Sequence, residues 1–253
     1  MQHDVLNSPS PILVQKSVAD LSAQTEMLDA MELGPEAVLI VHAGGTYGDV
    51  DGGCQRWTQT YGALSPEIRH RLVLENDDQR YSAADVLKIH AATGVPLIFD
   101  HQHFWCHNPE ELNLVATARR FLKTWRRGVR PKIHFSSPRT EMRQVQRKNR
   151  TTRKRTVVLQ PPVWTGHADF CNPFEFITVM RELEGTEFDV MLEAKSKDLA
   201  LFRLRRDLQR YAPGIAARFG LETTEPVPDE TKAIEVPEEA LASIAPENAA
   251  KPG

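Results

Sequence analysis

The chain has 253 residues, 41% hydrophobic and 26% charged, which is ordinary for a globular protein of one large domain or two small ones. No stretch approaches the roughly 18 apolar residues of a membrane span and no secretory signal opens the sequence, so no membrane partner is expected. The three cysteines, Cys54, Cys106 and Cys171, are far apart and form no C-x-x-C motif. They indicate reduced thiols and a cytoplasmic location.

The net charge of −3 is unevenly distributed along the chain. Residues 221–253 contain eight acidic residues against two lysines and no aromatic residue, so this segment carries −6 and residues 1–220 carry +3. We expect residues 213–253 to form a disordered acidic tail rich in Pro, Ala and Glu. Residues 1–212 are then the folded, mildly basic domain.

Apolar runs alternate with segments of helical periodicity. An amphipathic helix is predicted first, over 10–33. Five continuous apolar runs have the composition of buried parallel strands: AVLIVH (37–42), RLVLEN (71–76), PLIFD (96–100), PKIHFSS (131–137) and FDVMLEAK (188–195). Helical patterning lies between and after them, over 51–63, 82–93, 109–126, 172–184 and 198–211. This order predicts parallel βα units and an α/β fold.

Each predicted strand ends at a residue that can bind a metal ion. These residues are His42, Glu75, Asp100, His134 and Glu193. In a parallel barrel the carboxyl ends of the strands converge on one face, where the loops build the active site. Buried carboxylates and imidazoles that face one another need partners, and divalent cations satisfy them. The alternative is that each residue caps its own loop separately.

Two further histidines extend the predicted cluster. His103 follows Asp100 by three residues, in the predicted loop after the third strand, and His167 lies in WTGHADF (164–170) after a long insertion. Carboxylates and imidazoles without a thiolate favour Mn²⁺, Zn²⁺ or Fe²⁺ over a cysteine-type structural zinc. Clustered ions of this kind activate water and hold a phosphodiester.

The insertion SPRTEMRQVQRKNRTTRKRTVVLQPP (137–162) follows the fourth predicted strand and is strongly basic. Against the single acid Glu141 it carries Arg139, Arg143, Arg147, Lys148, Arg150, Arg153, Lys154 and Arg155. A charge run of this kind is commonly a solvated hairpin. Beside a metal site suited to phosphodiesters, we expect it instead to bind a nucleic-acid backbone without reading the base sequence.

Several segments together resemble the UV damage endonucleases of the UvdE type, over residues 2–212. They are LNSPSP (6–11), VLIVHAGGTYGD (38–49), RLVLENDD (71–78), PKIHFSSPRTEMR (131–143), WTGHADF (164–170) and DVMLEAKSKDLALFRLRRDL (189–208). The resemblance implies a TIM (β/α)8-type barrel related to endonuclease IV and the xylose-isomerase-like proteins. It also implies a Mn²⁺-dependent enzyme that nicks UV-damaged double-stranded DNA immediately 5′ to pyrimidine dimers and 6-4 photoproducts.

The resemblance also implies roles for individual residues. The implied ligands of two or three Mn²⁺ ions are His42, Glu75, Asp100, His103, His134, His167 and Glu193. Glu75 would bridge two ions, Lys132 matches a lysine beside the metals, and Glu75, Lys132 and Glu193 are the expected catalytic residues. Gln2 and His3 stand where the family has a glutamine–aromatic pair that probes the damaged bases, with His3 in place of the aromatic residue.

Compared with a typical member of this family, the sequence lacks N-terminal βα units. We expect an incomplete barrel of about five of the eight units, whose open edges leave the chain weak or inactive unless a complementing chain supplies the missing strands. Two other functions stay open. A metal-dependent sugar isomerase would share the metal ligands but would not need the eight basic residues of the insertion. A non-catalytic fragment would bind DNA or a partner without cutting.

Overall fold

The computed structural model describes residues 5–148 and 150–224. Its helices are α1 (Pro11–Ala30), α2 (Val50–Ala63), α3 (Pro66–Arg71), α4 (Ala83–Thr93), α5 (His101–Cys106), α6 (Leu114–Leu122), α7 (Pro173–Glu182), α8 (Asp198–Tyr211) and α9 (Pro213–Arg218). Its strands are β1 (Leu39–His42), β2 (Leu72–Glu75), β3 (Leu97–Asp100), β4 (Lys132–Phe135), β5 (Pro138–Arg139), β6 (Arg143–Lys148), β7 (Arg155–Gln160), β8 (Val163–His167) and β9 (Asp189–Leu192). Gln2, His3 and residues 225–253 lie outside the described part of the chain.

Five strands form one parallel sheet in the order β1-β2-β3-β4-β9. They are the five predicted apolar runs, and helices connect them, so the predicted α/β fold of TIM-barrel type is confirmed. The register places His42 beside Glu75 and Asp100 beside His134. The polar ends of neighbouring strands therefore lie in one row.

The central strands β2 and β3 are the most deeply buried strands of the sheet. Every residue of β2 and β3 is buried, and fully burying one such apolar side chain contributes about 1.5–3 kcal/mol. α4 shows how the sequence sets a helix boundary: Ser82 and Asp85 form a reciprocal capping box, and Gly94 ends the helix in the left-handed conformation at φ 73°. Val86 and Ile89 on this helix join the core.

The basic insertion is more ordered than a loop. β6 and β7 form an antiparallel hairpin from Arg143↔Gln160 to Lys148↔Arg155. β5 pairs with β8, which places His167 opposite Pro138, just beyond the end of β4. The insertion therefore returns to the face where the parallel strands end.

Three features differ from the sequence predictions. His103 lies in helix α5 rather than in a loop, because the Asp100 carboxylate caps that helix by accepting from the His103 backbone N–H at 2.6 Å. The predicted helix 109–126 is limited to Leu114–Leu122. The folded part continues past residue 212, since Pro213–Arg218 form α9 and Ala216 packs into the core.

Across the described residues, every helix is too short or too polar to cross a membrane.

Candidate metal centre

Glu75, at the end of β2, lies at the centre of the site and is almost fully buried. One of its carboxylate oxygens, Oε1, lies 2.8 Å from His134 Nδ1 and 3.5 Å from His103 Nδ1. The other, Oε2, lies 3.5 Å from His42 Nε2. The two oxygens of this one carboxylate thus face different histidines.

Glu193, which follows β9, occupies the opposite side of the cluster. Its Oε1 lies 3.4 Å from His134 Nδ1, and its Oε2 lies 3.5 Å from His167 Nε2. Asp100 lies between the two glutamates, with Oδ1 3.7 Å from His103 Nδ1 and Oδ2 4.0 Å from His134 Nδ1. All seven implied ligands therefore stand in one continuous set of contacts.

Three overlapping groups within this set have donor atoms that all lie within 4.8 Å of one another. The groups are His42, Glu75 and His103; Glu75, Asp100, His103 and Glu193; and His103, His167 and Glu193. His134 belongs to none of the three, although it contacts Glu75 and Glu193. Each group has the size that a divalent ion needs.

Several donor atoms lack partners of their own. Among the described residues, His42 Nδ1, Asp100 Oδ2 and His134 Nε2 are buried without a hydrogen-bond partner. A buried polar atom left in this way costs about 1–3 kcal/mol. A bound cation would remove that cost at Asp100, and the mixed carboxylate and imidazole donors suit Mn²⁺, Zn²⁺ or Fe²⁺.

The charges of the cluster are strongly interdependent. Burial opposes ionisation of Glu75, but hydrogen bonds from His103 and His134 hold its pKa below the ordinary value. Burial, with the charges of Glu75 and Glu193, raises the pKa of Asp100 to about 7. Burial would lower the pKa of His103, yet Glu75 and Asp100 raise it to about 10. Carboxylates grouped in this way stabilise a positive charge placed between them, such as a protonated histidine or a metal ion.

Two residues that support the cluster were not assigned a role from the sequence. Asn76 is fully buried, and its side chain accepts from the Asp100 backbone N–H at 2.9 Å and donates to the Asp100 carbonyl at 3.1 Å. Asp77 Oδ2 lies 3.8 Å from His42 Nδ1. Both belong to the ENDD segment (75–78) at the end of β2. A polar run directly after a buried strand is the sequence signal that could have identified them.

Lys132, predicted to lie beside the metals, makes a different contact. Its ammonium group lies 3.1 Å from Asp189 Oδ2, and these residues begin β4 and β9. Among the described ion pairs, Lys132 contacts no implied ligand. Its predicted catalytic role stays a prediction.

The eight cations of the insertion fall into two sets. Arg139 and Arg143 are half-buried near the base, where Arg143 pairs with Glu141 and Asp169 at 2.7 Å each. The other six are exposed on the β6–β7 hairpin and its tip, and form no ion pair with the described residues: Arg147, Lys148, Arg150, Arg153, Lys154 and Arg155.

Comparison with known proteins gives consistent matches. The family model described as UV-endonuclease UvdE matches residues 1–219. The UV DNA damage endonuclease of Bacillus velezensis is 31% identical over 210 residues, covering 82% of this chain and 59% of that protein. The UV-damage endonuclease of Neurospora crassa is 31% identical over 219 residues, covering 81% of this chain and 30% of that protein.

A solved structure supports the same relationship. The crystal structure of SacUVDE matches with a TM-score of 0.66 and 27% identity, over 83% of this chain and 63% of that one. The chain thus spans less than two thirds of the length of the proteins it resembles. Because the family model matches residues 1–219, this chain belongs to the UV-endonuclease UvdE family.

Proposed function

We propose that this chain acts in DNA repair as a metal-dependent endonuclease that nicks duplex DNA 5′ to pyrimidine dimers and 6-4 photoproducts. The observation that carries the proposal is that three carboxylates and four imidazoles lie together at the carboxyl end of one parallel sheet. A relative named UV DNA damage endonuclease aligns with 82% of this chain at 31% identity. Because the chain covers only 59% of such a relative, the activity is a proposal for this chain and not a finding.

The proposed cofactor is Mn²⁺, in two or three copies. The holding residues are His42, Glu75, Asp100, His103, His134, His167 and Glu193. Bound ions would supply Lewis-acid stabilisation of the phosphate charge and lower the pKa of a nearby water. Glu75 would help to hold more than one ion, a role that is supported by its two oxygens facing His134 and His42 separately.

The basic hairpin is proposed to hold the DNA backbone. Its six exposed cations supply phosphate contacts, which position a duplex without reading its sequence. The base of the hairpin adjoins β5 and β8, and β8 ends at His167, so the hairpin leaves the same face of the sheet as the metal centre. Gln2 and His3 are proposed to contact the lesion, where damaged pyrimidines leave the stack at lower cost than normal bases.

A nicking assay tests the function. The 253-residue chain is given Mn²⁺ and an end-labelled duplex with one cyclobutane dimer, beside an undamaged duplex of the same sequence. We expect a single but slow cut 5′ to the dimer, because the chain covers only 59% of the relative's length. Glu75→Gln should lower that rate by at least about 100-fold, since even residues behind the ligands contribute 10–100-fold. Glu184→Gln, an exposed glutamate outside the site, is the matched control.

Two results would reject the proposal. Equal cutting of damaged and undamaged duplexes would remove the lesion specificity. A folded chain that binds Mn²⁺ and duplex DNA but makes no cut would favour the non-catalytic DNA-binding function instead.

A further inference from the structure

His167 is an implied ligand that lies outside the parallel sheet. It ends β8, which directly follows the insertion and, within the described chain, pairs with the two-residue strand β5. By contrast, Glu193 is fixed to β4 through its backbone N–H, which donates to the Phe135 carbonyl at 3.0 Å. His167 is also half-buried, so its ring needs side-chain partners to hold one orientation.

Two buried polar residues supply those partners. Ser136 directly follows β4, and its Oγ lies 2.8 Å from His167 Nδ1. Gln102, in α5, places Oε1 3.2 Å from the same nitrogen and also accepts from Ser136 Oγ. The two residues are 1% and 3% exposed.

The orientation of the Gln102 amide follows from its other bonds. Its Nε2 donates to the Trp164 carbonyl at 2.9 Å and to the Gly166 carbonyl at 3.2 Å. Carbonyl oxygens only accept, so the amide nitrogen must point toward them and Oε1 toward His167. The same bonds attach β8 to α5.

The proton on His167 is then determined. Ser136 Oγ donates to Gln102 Oε1, so it can only accept from His167. The hydrogen therefore sits on Nδ1, where both neighbours are acceptors. Nε2 is left with a free lone pair, 3.5 Å from Glu193 Oε2.

We propose that Gln102 and Ser136 are positioning residues that hold His167 with Nε2 free, and that they would thereby set the affinity for an ion bound by His103, His167 and Glu193. The inference rests on the proposed metal centre. A hydrogen-bonded partner behind a histidine ligand fixes its tautomer and orientation, and its removal costs 10–100-fold in metal affinity.

The first test measures the tautomer in the metal-free chain. The ¹⁵N shifts of labelled histidines at pH 8 distinguish Nδ1–H from Nε2–H. We expect His167 to be protonated on Nδ1, and Ser136→Ala to shift it toward Nε2–H. The control is Ser137→Ala, because the neighbouring Ser137 bonds Glu175 and Asn172 instead of His167. An Nε2–H ring in the unaltered chain would overturn the inference without involving any metal.

The second test counts bound Mn²⁺ by electron paramagnetic resonance titration. We expect Ser136→Ala and Gln102→Leu to weaken one ion by about 10–100-fold and leave the others unchanged. In a His167→Ala background, either substitution should have no further effect, because both act through that ring. Circular dichroism melting shows that each variant is folded.

The outcomes separate the two proposals. If the unaltered chain binds no Mn²⁺, the proposed function fails at its cofactor. If it binds Mn²⁺ but Ser136→Ala matches Ser137→Ala, or the effect persists without His167, only the positioning role is wrong.

Discussion

At the scale of single residues, the site depends on groups that the sequence pattern does not single out. The strand-end pattern identified five donors, because the last residue of a buried apolar run is easily recognised, and His103 and His167 were added from the neighbouring motifs. Asn76, Gln102 and Ser136 are polar residues beside those donors, and their importance comes from partners 24 to 65 positions away. Such partners are known only once the chain is folded.

Asn76 provides a test of this support. Asn76→Ala removes two hydrogen bonds to the Asp100 backbone and leaves a buried N–H and C=O without partners. Because each such group costs about 1–3 kcal/mol, we expect a decrease of about 2–4 kcal/mol in the free energy of unfolding, measured by urea denaturation. Asn113→Ala, which removes the exposed cap of α6, should cost only about 1 kcal/mol. Equal decreases would contradict this role of Asn76.

The cysteines give a second test at this scale. Burial raises the pKa of Cys54 to about 11 and that of Cys171 to about 12. Cys106, whose pKa is also raised by burial, is the more exposed thiol. Since the thiolate is the reactive form, iodoacetamide at pH 8 should label Cys106 first in the native chain. If mass spectrometry found Cys54 or Cys171 labelled as fast as Cys106, these two thiols would not be buried in the native chain.

At the scale of elements, the strands were predicted and some short helices were missed because their sequence patterns differ in strength. The five parallel strands are continuous apolar runs, and the sequence alone located all five. α5 was missed because HQHFWC has no helical periodicity and its cap, Asp100, is also the last residue of a strand. α3 was also missed, although Ser65 and Pro66 form an ordinary helix start. Short helices lack the length that periodicity needs.

The hairpin β6–β7 was predicted as a basic segment but not as strands. Its exposed charges hide the half-buried pair Val145 and Val158, which face each other across the ladder. Each strand has only two half-buried positions among its six, so the exposed charges dominate the sequence pattern.

The hairpin also carries a binding prediction. Replacing Arg153, Lys154 and Arg155 together with Gln should weaken binding to any duplex and flatten its salt dependence, by about 0.9 in the log–log slope for each phosphate that the variant no longer neutralises. Fluorescence anisotropy at several salt concentrations measures both effects. The matched control replaces the exposed Arg120, Lys123 and Arg127, away from the insertion. An unchanged slope in the hairpin variant would exclude it from the DNA interface.

At the scale of the whole molecule, the sheet explains why distant residues meet. His42 and Glu193 are 151 positions apart, yet parallel strands in the order β1-β2-β3-β4-β9 bring both ends to one face. That gathering followed from the sequence because parallel strands share a direction. Two features could not be predicted from the sequence: the contact of Lys132 with Asp189 and the packing of α9. Both depend on side-chain contacts made after the chain folds.

The central claim is that the strand-end cluster is a divalent-metal centre. Anomalous diffraction at the manganese edge, from crystals of the 253-residue chain grown with Mn²⁺, tests it most directly. We expect peaks among the seven implied ligands, with one beside Glu75 and one near His167 and Glu193. Crystals that contain bound manganese elsewhere, with no peak in this cluster, would contradict it.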